Sequence, residues 1–173
     1  MAFWPETGGF CMSGQTREVI EGFKPGADLG TSPWLTVTQE MIDGFGAVTL
    51  DPDPMHIDPA WSRTHSPFGG TIAFGFLTIS LLTHLLHQAM NTSAHRDPAD
   101  QGYFLNYGFD RLRLVAPVPV GSRIRGRFKV LDHRQDERGR WVNVIDSMIE
   151  IENSERPALV AEWLSVWVPP EAM

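Results

Sequence analysis

Cysteine is almost absent from this chain, since Cys11 is the only one among 173 residues. A single cysteine excludes a disulfide framework and a thiolate metal cluster within the chain. Acidic residues outnumber basic residues by 21 to 14, and the formal net charge of −7 argues against a nucleic-acid-binding surface. A negative net charge does not exclude a local basic patch that binds an anionic small ligand.

The chain also lacks a segment typical of a targeting signal or a membrane anchor. Residues 1–14 have neither a basic n-region nor an apolar h-region, so we expect no signal peptide. The most apolar segment, Thr71–Met90, contains two histidines, a glutamine, a serine and three threonines, which disfavours a transmembrane helix. We therefore expect a cytoplasmic protein without membrane contact.

An apolar content of 42% is enough for one domain with a sizeable core. Residues 1–18 show no hydrophobic period and are predicted to be a flexible tail. Residues 19–173 are predicted to form a single domain.

The segment Thr71–Met90 is predicted to be a long helix, because its apolar residues recur at three- and four-residue steps without proline. At about 100° per residue, Gly75, Ile79, Leu82 and Leu86 share one face. The polar residues form a narrow stripe on the opposite face, which predicts that a sheet wraps most of the helix. The stripe consists of Ser80, His84, His87, Gln88 and Asn91.

Four long strands are predicted after this helix, and the breaks between them carry turn residues. Their short connections favour an antiparallel meander. The fold class is therefore α+β, with the sheet wrapped around the long helix. The predicted strands are Tyr103–Val115, Ser122–Asp132, Arg140–Glu152 and Ala158–Val168. Upstream, we predict a short helix capped by Thr38 and a helical turn capped by Asp58.

Asp51 and His56 lie five residues apart on a loop that contains Pro52 and Pro54. On such a stiff loop, a carboxylate and an imidazole can converge on one water molecule and act as acid and base. The alternative is a loop whose aspartates cap their own backbone and whose histidine is exposed. A calcium site lacks the EF-hand spacing, and no histidine pair beside the loop has the spacing of zinc ligands, so we expect no metal.

The motifs around this loop resemble those of MaoC-like (R)-specific enoyl-CoA hydratases, and most closely their nodulation-protein-N-like branch. The resemblance rests on Phe45, on Asp51-x-Asp-Pro-Met-His56-x-Asp58-Pro-Ala and on Pro67-Phe-Gly-Gly-Thr-Ile-Ala-x-Gly75. It continues through Leu105-Asn-Tyr-Gly-Phe-Asp-Arg111 and Ala116-Pro-Val-Pro-Val-Gly-Ser122. It implies a hot-dog fold and a homodimer with a continuous sheet.

The resemblance also implies the reaction, which is syn addition of water to a trans-2-enoyl thioester or its reverse. Asp51 and His56 match the catalytic pair, and Gly75 matches the glycine whose N–H supports the thioester oxyanion. Neither a metal nor a redox cofactor is implied, since coenzyme A is part of the substrate. The predicted pocket for the acyl group extends the Gly75 face of the helix, with Phe74, Ile79, Leu82, Thr83 and Leu86.

Three residues depart from the family pattern. Leu50 replaces the usual glycine before the catalytic aspartate, and Asp53 stands where asparagine or a bulky residue is usual. Phe74 replaces the usual histidine before the oxyanion glycine. These departures leave two alternatives open, a hot-dog acyl-CoA thioesterase and a non-catalytic acyl-CoA-binding subunit of a heterodimer.

Basic residues alternate with apolar ones along the strand that carries Arg123, Arg125, Arg127 and Lys129. We expect them to form cross-strand pairs with Asp146, Glu150 and Glu152. Arg111 and Arg113 are the preferred candidates for contact with the phosphates of coenzyme A.

Overall fold

The computed structural model describes residues 22–91, 103–137 and 140–168. The predicted tail, residues 1–18, lies outside these ranges. Within the described ranges, the strands and helices follow one another in the order β1 (Asp28–Thr31), β2 (Leu35–Thr36), α1 (Gln39–Thr49), α2 (Pro54–Ile57), α3 (Pro59–His65), α4 (Gly75–Ala89), β3 (Tyr103–Leu114), β4 (Arg123–Gln135), β5 (Trp141–Ile151) and β6 (Leu159–Val168).

The strands form one antiparallel sheet in the order β1-β4-β5-β6-β3, with β2 also paired to β4. The α+β architecture, with one long helix packed on an antiparallel sheet, is confirmed. The predicted meander is correct for β4, β5 and β6 but wrong for β3. Strand β3 pairs with β6 at the far edge, because the connection after β3 crosses towards α4 instead of turning back as a hairpin. Along this connection, the N–H of Val115 donates to Ala158, and the carbonyl of Val118 accepts from Ala73.

Helix α4 begins at Gly75, four residues later than predicted. The preceding residues are extended, with Ile72 bridged to Pro119, so the backbone leaves helical geometry there. On the predicted face, Leu82 is fully buried, whereas Ile79 and Leu86 are half-buried. None of the helices in the described ranges is both long and apolar enough to cross a membrane.

Three of the four basic residues of β4, Arg123, Arg125 and Arg127, form the predicted cross-strand ion pairs, with Glu150 and Glu152. Arg125 and Arg127 both contact the Glu150 carboxylate, at 2.6 and 3.3 Å, and Arg123 lies 3.0 Å from Glu152. Burial raises the pKa of Glu150, but the hydrogen bonds from the two arginines outweigh it and hold that pKa below its usual value. This face of the sheet is therefore a network of paired charges.

Candidate active site

The loop that carries Asp51 starts from a left-handed residue at the end of α1. Leu50 has φ 58°, and the N–H groups of Leu50 and Asp51 both donate to the carbonyl of Gly46. Glycine adopts this conformation without the steric cost that a Cβ imposes. A glycine, which is usual here in the resembled family, would suit this conformation, and Leu50 adopts it with its side chain 87% exposed.

The aspartates of the loop have different roles. Asp53 caps α2 by accepting from Met55 N–H, and Asp58 caps α3 by accepting from the N–H groups of Ala60 and Trp61. Asp51 accepts one hydrogen bond, from Asp53 N–H at 3.2 Å, through Oδ1 alone. Helix capping therefore explains the presence of Asp53 and Asp58. Asp51 is exposed, and its carboxylate can still accept hydrogen bonds from a ligand.

His56 is half-buried and oriented by a backbone carbonyl. Its Nδ1 lies 2.8 Å from the Ile72 carbonyl oxygen, which can only accept, so Nδ1 carries the proton. In the neutral ring, the lone pair then lies on Nε2, which makes no hydrogen bond with any described residue. The main chain of His56 is held on both sides, by Asp53 O and by Gln39 Nε2. The side chain is thus oriented as a base or acceptor at Nε2.

Phe74 lies against the imidazole of His56. The two ring centroids are 3.9 Å apart, and the Phe74 ring also contacts Phe45 at 5.4 Å. Phe74 is 4% exposed, so it fills the space behind His56 in the core. This position suits a residue that supports His56 better than one that contacts an acyl group.

The start of α4 has backbone donors without a side-chain cap. Phe74 occupies the N-cap position but makes no capping hydrogen bond, and the first turn contains no acidic residue. The N–H of Gly75 has no partner among the described residues. A Cβ at Gly75 would clash with Cδ1 of Leu114, so a side chain there would displace the Leu114 side chain. Free N–H groups and the helix dipole make this end suitable for an oxyanion.

Two of these features lie side by side. His56 contacts Ile72 and Phe74, within the three residues before Gly75, so the imidazole lies beside the start of α4. Asp51 makes its described side-chain contact with Asp53 rather than with His56.

A cavity of about 420 Å³ lies between α4 and β3, starting one helical turn after Gly75. Three of the predicted acyl-pocket residues, Ile79, Leu82 and Thr83, line it. Leu86 does not line it and packs against the core instead. Ser80 also lines the cavity, so its prediction on the opposite, polar face of the helix was wrong. The lining residues of the sheet were missed, because sequence patterns do not reveal which strand faces α4: Asn106, Tyr107, Gly108, Phe109 and Trp163.

Arg111 and Arg113 lie on the face of β3 that points away from α4. They alternate with Leu112 and Leu114, and Leu114 contacts Gly75. Arg111 lies 3.5 Å from Glu162. Arg113 donates to the carbonyl of Leu112. The structure therefore does not bring these two guanidinium groups to the cavity.

The part of the chain that the structure describes has no group of three or more His, Cys, Asp or Glu side chains placed to hold a metal ion.

Residues 21–153 match the family described as the MaoC like domain. Nodulation protein N of Rhizobium meliloti (strain 1021) is 42% identical over 141 residues, which cover 82% of this chain and 84% of that protein. The 3-hydroxyacyl-thioester dehydratase Z of Mycobacterium tuberculosis (strain ATCC 25618 / H37Rv) is 36% identical over 137 residues, covering 79% of this chain and 86% of the other.

Solved structures share the fold. The MaoC-like dehydratase from Rhodospirillum rubrum superimposes with a TM-score of 0.67 at 22% identity, covering 86% of this chain and 95% of that one. The (R)-hydratase from A. caviae gives a TM-score of 0.64 at 22% identity, and the match covers 82% of this chain and 95% of that one. The expected hot-dog fold is thereby confirmed. The match over most of the chain, together with these relatives, shows that the chain belongs to the MaoC-like dehydratase family.

Proposed function

We propose that this protein is a hydro-lyase that interconverts a trans-2-enoyl-CoA and the corresponding (R)-3-hydroxyacyl-CoA. Two of its relatives are named 3-hydroxyacyl-thioester dehydratase and (R)-hydratase, which supports this class of reaction. Coenzyme A belongs to the substrate, and the mechanism requires neither a metal nor a redox cofactor.

In hydration, Asp51 and His56 hold one water molecule next to C3 of the enoyl group. The water oxygen forms a bond to C3, and the pair takes up its proton. The C2=C3 electrons move towards the thioester, whose oxygen becomes negative and is stabilised by Gly75 N–H. A proton from the pair then reaches C2 on the same face, so that the elements of water are added across the double bond.

The observation that carries this proposal is the orientation of His56 beside the free N-terminus of α4. The bond from Nδ1–H to Ile72 leaves Nε2 available for proton transfer, and the contact with Phe74 holds the ring near Gly75. An acid–base group and an oxyanion site are the two parts that the reaction needs.

The thioesterase alternative requires a carboxylate near the start of the long helix. No acidic residue occupies the first turn of α4, so the helix itself does not supply this carboxylate. The products separate the two enzymes, because a thioesterase releases free coenzyme A and a hydratase keeps the thioester intact. A non-catalytic subunit would bind the thioester without cleaving it and without adding water to its double bond.

A screen of trans-2-enoyl and (R)-3-hydroxyacyl thioesters of varied size, read by mass spectrometry, tests the proposal. We expect a mass change of one water molecule without release of the thiol. Asp51→Asn and His56→Ala should each lower kcat by about 10²–10⁴-fold. In the double variant, the fold reduction of kcat should be smaller than the product of the two single reductions, because the residues share one water.

Two matched controls accompany these variants. Asp53→Asn makes the same change two residues away and keeps a good N-cap, and His65→Ala removes an exposed histidine of α3. Both should retain the turnover of the native chain. Near-native turnover in Asp51→Asn or His56→Ala would remove that residue from the mechanism.

We also propose that the protein is a homodimer joined at β3. Among the described strands, β3 ends the sheet and pairs on one side alone, and it carries exposed apolar side chains: Phe104, Leu105, Tyr107, Phe109 and Leu114. A long apolar edge strand favours pairing with another strand. Sedimentation should therefore show a dimer that Leu105→Lys weakens. Leu131→Lys, at a similarly exposed leucine of the interior strand β4, should leave the dimer intact. A monomeric native chain would contradict the proposal.

A further inference from the structure

The cavity between α4 and β3 has an unexpectedly polar wall. Its apolar part is formed by Ile79, Leu82, Phe109 and Trp163, whereas Thr83, Asn106 and Tyr107 contribute a hydroxyl, an amide and a phenol. A pocket that takes only a hydrocarbon chain gains nothing from polar groups, which prefer to stay hydrated. The polar wall therefore calls for an explanation.

Asn106 belongs to a row of four polar residues that crosses the inner face of the sheet. Backbone pairing sets His133 beside Asn143, Asn143 beside Ser165, and Ser165 beside Asn106. Nδ1 of His133 lies 2.6 Å from Asn143 Oδ1, and Asn143 Nδ2 donates to Ser165 Oγ at 3.3 Å. These three side chains thus hydrogen-bond one another within the sheet, whereas the buried Nε2 of His133 has no partner among the described residues.

Asn106 differs from the rest of the row. It occupies an inward-facing position beside buried Ser165, yet it is exposed, because the cavity lies in front of it. Its amide makes no hydrogen bond with any described residue. The Thr83 hydroxyl, on the facing helix, is likewise without a partner in the described ranges. Ser80, by contrast, donates to the Phe76 carbonyl at 2.8 Å.

The free groups are neutral. No lining residue carries a charge, and Arg140, which donates to the Tyr107 hydroxyl, is ion-paired with Asp136 at 2.5 Å. The cavity therefore offers hydrogen-bond donors and acceptors but no net charge, which suits a hydroxyl or a ketone better than a carboxylate.

We infer that the acyl group carries a neutral oxygen function, a hydroxyl or a ketone, that hydrogen-bonds to Thr83 and Asn106. With a helical rise of about 1.5 Å per residue, Thr83 lies about 12 Å along α4 from Gly75. The oxygen thus belongs to the distal part of the acyl chain, well beyond the reacting C2 and C3. This inference rests on the proposed function, since it assumes that Gly75 holds the thioester.

The test compares trans-2-enoyl-CoA substrates of equal chain length that carry a methylene, a hydroxyl or a ketone in the distal half. A neutral hydrogen bond contributes about 0.5–1.5 kcal/mol, so kcat/KM should favour the oxygenated substrate by about two- to tenfold. Thr83→Val and Asn106→Leu should each reduce that ratio. The control is Thr36→Val, which makes the same threonine-to-valine change at an exposed residue of β2 and should leave the ratio unchanged.

Calorimetry with unreactive saturated acyl-CoA ligands separates this inference from the proposed function. A lower Kd for the oxygenated ligand, lost in Thr83→Val and Asn106→Leu, would support the pocket assignment even if no thioester were converted. Conversion of alkyl and oxygenated substrates with equal kcat/KM would contradict the inference about the acyl group but would still support the hydro-lyase proposal. A preference that survives in both variants would also overturn it. If Asn106→Leu does not fold, Asn106→Ala gives the same comparison.

Discussion

The Phe74 ring and the His56 imidazole are in contact, with centroids 3.9 Å apart and an interplanar angle of 32°. Phe74 is buried and continues into a second aromatic contact with Phe45. The residue that replaces the usual histidine of the family is therefore a packing surface for the proposed base.

Phe74→Leu tests this support. The variant stays apolar but loses the flat ring, so His56 has more freedom to leave its productive orientation. We expect kcat to fall by about tenfold with little change in KM, because misplacement of a catalytic group acts on the reacting geometry. The control is Phe45→Leu, which loses the outer ring contact and should reduce stability more than kcat. Equal kcat losses in both variants would contradict a specific role for Phe74.

Phe74→His restores the residue that is usual in the family. Because Phe74 is buried and does not line the described cavity, we expect the preference among acyl chain lengths to remain that of the native chain. A buried imidazole without a partner should lower the free energy of unfolding by about 1–3 kcal/mol. Thermal unfolding and a substrate panel provide the two measurements. A shift of preference towards short linear enoyl-CoA would instead place Phe74 in the acyl pocket.

Leu50→Gly should stabilise the protein. Leu50 is left-handed at φ 58°, and its exposed side chain has little burial to lose. Removing the Cβ should raise the free energy of unfolding by about 1 kcal/mol, measured by chemical denaturation. Asn153→Gly is the matched control at φ 60°, where asparagine already tolerates the conformation, so a smaller gain is expected. A loss of stability in Leu50→Gly would show that the leucine side chain has another role.

Ile79→Phe should shorten the longest acyl chain that is accepted. Ile79 lines the cavity and is half-buried, so a larger ring can enter the open space there. The control is Leu86→Phe, which enlarges a residue of the same helix outside the described cavity lining. Relative kcat/KM across a chain-length series measures both variants. A shift in Leu86→Phe without one in Ile79→Phe would mean that the acyl group runs along another part of α4.

Glu150→Gln should have an effect that depends on pH. The pKa of Glu150 is held below its usual value in the folded protein, so its stabilising contribution is present above the unfolded-state pKa and is lost as the pH falls through the folded-state pKa. Near neutral pH, the variant should lose no more than about 1 kcal/mol, since the ion pairs are partly exposed. In strong acid, the native chain and the variant should converge. The control is Glu155→Gln, which makes the same change at an exposed glutamate.

The sequence by itself determined the features that depend on short-range geometry. Thr38 and Asp58 accept hydrogen bonds as N-caps, because a side-chain oxygen reaches the N–H groups two or three residues ahead. The long helix and four long strands follow from hydrophobic period and from turn residues between them. The motif around Asp51, His56 and Gly75 is sufficient by itself to indicate the family.

Tertiary structure decided which of these pieces meet. Strand β3 pairs with β6 rather than with β4, and a strand pattern shows which face is apolar but not which strand lies alongside. Phe74 precedes α4 and His56 belongs to α2, so their contact depends on how these two elements pack together. The polar cavity likewise needs Asn106 of β3 opposite Thr83 of α4, and its chemistry exists only once the sheet order is fixed.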